Sequence, residues 1–142
     1  MTLQDKVDLL EAKAGEVLFE RSNEIKCIIN ALLSRKHIVL LGPPGVAKSM
    51  LTRTMVNLID GIEDGEYFEW ALTKFTEPSE VVGPHSITQM TQDRYIRTTR
   101  RKLPEAKICF LDETFCGSSA LLNVLLPILN ERIFYNNDEP TK

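Results

Sequence analysis

Ile38-Val39-Leu40-Leu41-Gly42-Pro43-Pro44-Gly45-Val46-Ala47-Lys48-Ser49 is the stretch that decides the fold. Four apolar residues read as a strand, the Gly/Pro run as a loop, and Met50 to Ile59 as a helix. Strand, glycine-rich loop and helix in that order form the context of a phosphate-binding loop. The loop and helix start at residues 42–50 would cradle phosphate oxygens with the backbone N–H groups of its non-proline residues, and the helix N-terminus would add the positive end of its dipole. Lys48 would reach the β- and γ-phosphates, and the Ser49 hydroxyl would ligate Mg²⁺. Position 47 of this pattern is usually glycine. Alanine there is expected to favour the helix start and to place a methyl group close to the phosphates.

Working outward, Lys107-Ile108-Cys109-Phe110-Leu111-Asp112-Glu113 is a second apolar run, and it ends in two carboxylates. It reads as a buried strand. Acids at the C-terminal end of such a strand stand where parallel α/β sheets bind ligands. Asp112 suits a Mg²⁺ shell, and Glu113 suits the orientation of an attacking water. The two runs together predict an ATP or ADP site with Mg²⁺, with Lys48 and Glu113 as the catalytic candidates.

The rest of the chain frames these runs. Leu3, Val7, Leu10, Ala14, Val17 and Leu18 recur at helical spacing, with Thr2 and Asp5 as a capping box and Gly15 as a candidate break. Ser22 is expected to cap a second helix with Ile25, Ile28, Ile29 and Leu32 as its stripe. Tyr67 to Leu72 reads as a strand, and Thr76-Glu77-Pro78 opens a short helix ending at Gly83-Pro84. Residues 85–100 read as a polar hairpin. Ser118 should cap a helix that carries Leu121, Leu122, Leu125 and Leu129 and is kinked by Pro127. Ile133 to Tyr135 reads as a strand, and Asn136-Asn137-Asp138 as a turn.

The chain has 142 residues and a formal net charge of −3. That is one modest domain with no basic footprint for nucleic acid. The acidic start, Met1 to Glu16, lacks the apolar core of a signal peptide, and no run is long enough to span a bilayer. Cys27, Cys109 and Cys116 have no metal-ligand spacing and fit a reducing cytoplasm. Cys27 and Cys109, lying in apolar runs, are expected to be buried.

With these residues in hand the chain resembles a MoxR-type AAA+ ATPase, closest to the RavA-like branch. The resemblance rests on Glu20-Arg21-Ser22, on residues 42–49, and on Thr73-Lys74-Phe75-Thr76-Glu77-Pro78-Ser79-Glu80-Val81-Val82-Gly83-Pro84. It continues in Leu103-Pro104-Glu105-Ala106, Phe110-Leu111-Asp112-Glu113, Leu121-Leu122-Asn123 and Leu129-Asn130-Glu131-Arg132. It implies an α/β P-loop fold, a parallel sheet flanked by helices. N-terminal helices would occupy 1–36 and the core 37–142, with a helix or hairpin inserted at about 76–102. Lys48 and Ser49 would belong to Walker A, and Asp112 and Glu113 to Walker B. The resemblance also implies a homo-oligomeric ring, ATP hydrolysis for remodelling or maturation, and a von Willebrand A-domain partner.

That family pattern also calls for a sensor-1 strand, an arginine finger and a helical lid. None can be placed after Tyr135, and the sensor-1 strand should lie between the two apolar runs. Three expectations stay open: a piece of a longer AAA+ chain, a strand supplied by a second chain, or a sheet closed differently. A non-hydrolysing regulatory module docked on a full-length ring is the alternative function. Arg94, Arg97, Arg100, Arg101 and Lys102 form either a solvated surface or a contact between subunits. Arg132 either pairs locally or approaches a neighbour's phosphates. Phe19 and Ile25 either pack in the core or lie near the base.

Overall fold

A computed structural model of the chain describes residues 2–43, 45–137 and 139–141. They form two compact units, residues 1–62 and 63–142.

The first unit is built on helices. Helix α1 spans Leu3–Val17 and is closed by the expected box, in which Asp5 N–H donates to Thr2 Oγ1 at 3.2 Å and Thr2 N–H to Asp5 Oδ2 at 2.6 Å. Gly15 does not break it. One glycine in a helix costs about 1 kcal/mol, and the burial of Ala14 and Leu18 on either side outweighs that. Helix α2 spans Ser22–Ser34, with Arg21 rather than Ser22 as its N-cap. Arg21 Nη1 instead donates to Glu24 Oε1 at 3.1 Å, and the backbone and Arg21 bonds hold the Glu24 carboxyl below the usual range. Helix α3 spans Lys48–Asn57. Ala14, Leu18, Ile25, Ile28, Ile29, Leu51 and Met55 from the three helices close one core.

Residues 38–41 form no strand, which corrects the reading of that run. Leu40 packs against the helical core, while Val39 is 69% and Leu41 82% exposed. The side chains suit a strand, but a ladder needs a neighbour, and every strand described lies in the second unit.

In the second unit strand β1, Tyr67–Ala71, pairs in parallel with β2, Ile108–Asp112, in a register running from Tyr67↔Ile108 to Ala71↔Asp112. The chain is a mixed helix and strand structure with a small parallel sheet, as an α/β reading requires. Helix α4, Pro78–Val82, starts with proline at its first turn and a Glu77–Glu80 box, and ends at Gly83. The expected hairpin at 85–100 is one isolated bridge, His85↔Arg97, around a short helix α5, Ile87–Met90. Its two arms are too polar to bury a face, so the ladder does not extend. Helix α6, Ser119–Glu131, is capped by Ser118 and runs on past Pro127. Strands β3, Phe134–Asn136, and β4, Glu139–Thr141, are antiparallel. Asp138 of the expected turn lies outside the described residues. Phe68, Leu72, Val81, Val82, Leu103, Leu121, Leu125 and Phe134 form this unit's core.

The cysteine expectation is also corrected, because all three thiols are exposed. Cys27 lies off the Ile25, Ile28, Ile29 stripe of α2. Cys109 is open on β2, which has a strand on one flank only. Although the residue as a whole is exposed, desolvation of its sulfur by the atoms packed around it pushes the thiol up to about 12.

Candidate functional site

In the first unit the loop before α3 turns on two left-handed residues. Gly45 has φ +82°, and Ala47 has φ 57° and ψ 33°. Ala47 is the N-cap, accepting the first helical bond from Leu51 N–H at 2.9 Å. Its alanine therefore does not favour the helix start, as expected from propensity. It stands one residue outside, in a conformation that costs a non-glycine residue about 1–2 kcal/mol. Gly42 has little room for a side chain, since an added Cβ would lie 3.2 Å from Val46 Cγ2. Pro43 belongs to the same exposed turn, and Pro44 lies outside the described residues.

The Lys48 ammonium folds back across the loop and donates to the Gly42 carbonyl at 3.0 Å. Thr52 Oγ1 donates to the Lys48 carbonyl at 3.1 Å, tying the first turn of α3. Ser49 is half-buried beside Lys48, and Met50 is exposed. Gly42, Pro43 and residues 45–47 thus lead into α3, with Lys48 and Ser49 in its first turn and Met50 next to them.

In the second unit Asp112 closes β2. Its carbonyl accepts from Leu72 N–H at 2.9 Å, and its Oδ1 from Glu113 N–H at 3.0 Å. Glu113 is left-handed, with φ 51° and ψ 38°, and is exposed. A short 3₁₀ turn, Thr114–Cys116, fixes it: Cys116 N–H donates to Glu113 O at 2.8 Å, and Thr114 Oγ1 to Leu111 O at 2.9 Å. Both carboxylates therefore leave the C-terminal end of the parallel pair. Alongside, Thr73 N–H donates to the Thr76 hydroxyl at 2.9 Å, and Thr76 is the buried polar residue of this loop. Sequence reasoning placed Thr73 and Thr76 in the family-like run, and Thr76 at a helix start, but gave neither a role beside the acidic pair. The Thr-x-x-Thr spacing at the end of an apolar run is the signal they left.

Ser49 in the first unit and Asp112 in the second each carry an oxygen of the hard kind that Mg²⁺ takes. Among the described residues no three His, Cys, Asp or Glu side chains gather into a metal cluster.

Three members of the basic cluster, Arg97, Arg101 and Lys102, make contacts within their own unit. Arg97 Nη1 donates to Gly83 O at 2.8 Å, and Lys102 Nζ to Glu80 O at 2.7 Å. Lys102 also lies 5.5 Å from the centre of the Trp70 ring, and Arg101 pairs with Asp64. Arg132 ends α6 in a left-handed conformation. Ile25 is core at 1% exposure, whereas Phe19 is 81% exposed. Among the described residues no helix is long and apolar enough to cross a membrane.

Residues 5–142 match the family described as the MoxR domain in the MoxR-vWA-beta-propeller ternary systems. The chain is 40% identical over 141 residues to the uncharacterized protein MJ0079 of Methanocaldococcus jannaschii, covering 99% of this chain and 36% of that protein. The uncharacterized protein MJ0812 of the same organism is 40% identical over 137 residues, covering 96% of this chain and 36% of that protein. Structural protein ORF618 of Acidianus two-tailed virus is 29% identical over 138 residues, covering 92% of this chain and 22% of that protein. The chain thus spans little more than a third of the two archaeal relatives' length.

Proposed function

The chain belongs to the MoxR-type AAA+ family, and from that premise we propose that it binds Mg-ATP and Mg-ADP and carries the hydrolytic residues of a RavA-like remodelling ATPase. The supporting observation is the loop before α3, where Gly45 and Ala47 turn the backbone and Lys48 lies over the Gly42 carbonyl. A lysine held across its own loop keeps its charge beside the loop's backbone. Lys48 then needs little reorganisation to compensate the β- and γ-phosphates.

Each remaining residue has a role that its chemistry allows. Backbone N–H groups from Gly45 to Met50 donate to phosphate oxygens, and the dipole of α3 adds to them. The Ser49 hydroxyl and the Asp112 carboxylate are the residues that would hold Mg²⁺ in the completed protein. Mg²⁺, when bound, neutralises charge on the bridging and terminal phosphate oxygens. Glu113 accepts a hydrogen bond from the attacking water and aims its oxygen at the γ-phosphorus. The P–O bond to the β-phosphate breaks as the new bond to water forms.

Hydrolysis in this reading takes place in a cytoplasmic ring, where a further segment or subunit supplies the arginine that a AAA+ site needs. The family's name couples the MoxR domain with a vWA protein, and a vWA-domain partner is proposed here on that basis. The test is ATP turnover by the full-length protein. Glu113→Gln should retain nucleotide and lose turnover, while Lys48→Ala should lose both. Turnover at the parent rate in Glu113→Gln would assign water activation to another residue.

A further inference from the structure

The bridge His85↔Arg97 is closed by two backbone bonds: Ser86 N–H to Ile96 O at 2.8 Å, and Thr98 N–H to Pro84 O at 2.8 Å. Bonds on both sides of a bridged residue turn that residue's own N–H and C=O to the opposite flank. In a sheet a third strand would satisfy them. Here a single side chain does. Asn136 Oδ1 accepts from Arg97 N–H at 2.7 Å, and Asn136 Nδ2 donates to Arg97 O at 3.1 Å. A primary amide carries one acceptor and donors side by side, as a peptide group does, so it can stand in for a strand. Asn137 Oδ1 extends the pairing by accepting from Tyr95 N–H at 3.2 Å.

The other flank is fixed as well. The Arg97 guanidinium donates to Gly83 O at 2.8 Å. Gly83 has φ +102°, and a Cβ there would collide with the Thr98 carbonyl. Between these clamps the chain makes an excursion through α5 that exposes Ile87, Met90 and Tyr95. No residue from 84 to 98 belongs to the unit's buried core, whereas Phe134, two residues before Asn136, does. The excursion is therefore held by a handful of hydrogen bonds, and its latch is anchored in the core.

We infer that Asn136 is the latch of a strap: residues 84–98 open and close as one local unit, with the Asn136 amide setting the balance, while β1, β2, α4 and α6 stay folded. Segments with few buried apolar contacts open at free energies well below global unfolding. An unpaired Arg97 N–H and C=O is the cost that Asn136 removes on closing. The strap's exposed apolar side chains are in this way tied to the strand after α6. This inference does not depend on nucleotide.

Amide hydrogen exchange on the chain and its variants tests it. Asn136→Ala should speed exchange at Ser86, Arg97 and Thr98 on the order of tenfold, with β2 and α6 unchanged. Asn136→Asp keeps the acceptor for Arg97 N–H and loses the donor, and should fall between. If Asn136→Ala does not fold, Asn137→Ala should produce a smaller acceleration confined to the same residues. Unchanged exchange at 84–98 in the variant that folds would overturn the latch. So would an acceleration shared equally by β2 and α6, since Asn136 would then only hold the core.

Discussion

Residues 38–41 and residues 108–111 are each a run of four strand-forming apolar side chains, yet only the second is in a sheet. The second has β1 beside it over the full register Tyr67↔Ile108 to Ala71↔Asp112. The first has helices as its companions in its own unit, and it leaves Val39 and Leu41 to solvent. Side chains nominate a strand, and a neighbour with free N–H and C=O groups makes one. Past their ends the two segments are alike. Each is succeeded by a non-glycine residue held left-handed, Ala47 before α3 and Glu113 before its 3₁₀ turn. Both segments thus carry local backbone strain, Glu113 after a paired strand and Ala47 after a run with no ladder described.

Proline is the sharpest way to break the comparison. Phe110→Pro, mid-strand in β2, should cost about 3 kcal/mol or more through the lost ladder bond. Val39→Pro should cost less than about 1 kcal/mol, because no ladder is described there. Chemical denaturation of the two variants checks this, and equal costs would mean that residues 38–41 are paired in solution. Truncation gives the next largest contrast. Leu121→Ala, at a fully buried position, should cost about 2–5 kcal/mol. Leu41→Ala, at an exposed one, should stay within about 0.5 kcal/mol.

Glycine at the two left-handed residues refines the point further. Ala47→Gly and Glu113→Gly should each stabilise by roughly 0.5–1 kcal/mol, the relief of strain being partly offset by added freedom in the unfolded chain. Thermal unfolding that shows destabilisation at either residue would mean its side chain compensates the strain.

The smallest effect is one of pH. Lys107 Nζ lies 2.8 Å from Glu66 Oε2, and Glu63 N–H donates to the same oxygen at 2.8 Å. The Lys107 bond, then the backbone bond, hold the Glu66 carboxyl below its ordinary value of 4.5. A carboxyl lowered by folding contributes stability that is full above 4.5 and fades as pH falls through its folded value. Denaturation of Glu66→Gln beside the parent should show a small deficit at neutral pH that closes in acid. A deficit that stays constant with pH would rule the ion pair out as its source.

Local patterns carried much of this architecture. The period of Ile25, Ile28 and Ile29 predicts α2, and Ser118 with Leu121 and Leu125 predicts α6. The Gly/Pro loop and the Asp112-Glu113 pair are visible because each depends on a few consecutive residues. Pairing is not local, so the failure of 38–41 to join a sheet could not be read from its own side chains. Nor could the one-bridge form of 85–97, whose second flank is closed by Asn136 some 39 residues away. Asn136-Asn137 looks like a turn in sequence because asparagine suits turns. Its use as a substitute strand is a tertiary fact. The left-handed Ala47 was hidden for a related reason, since alanine's helix propensity says nothing of a residue standing just outside the helix.

The proposed function rests above all on the loop from Gly42 to Met50 holding the phosphates of a nucleotide through Lys48. Titration calorimetry of Mg-ATP into the chain and into Lys48→Ala measures this directly. The parent should bind saturably, and the variant should lose at least about 100-fold in affinity, the size of a lost charge-assisted contact of about 3 kcal/mol. Equal affinity in the two proteins would contradict it.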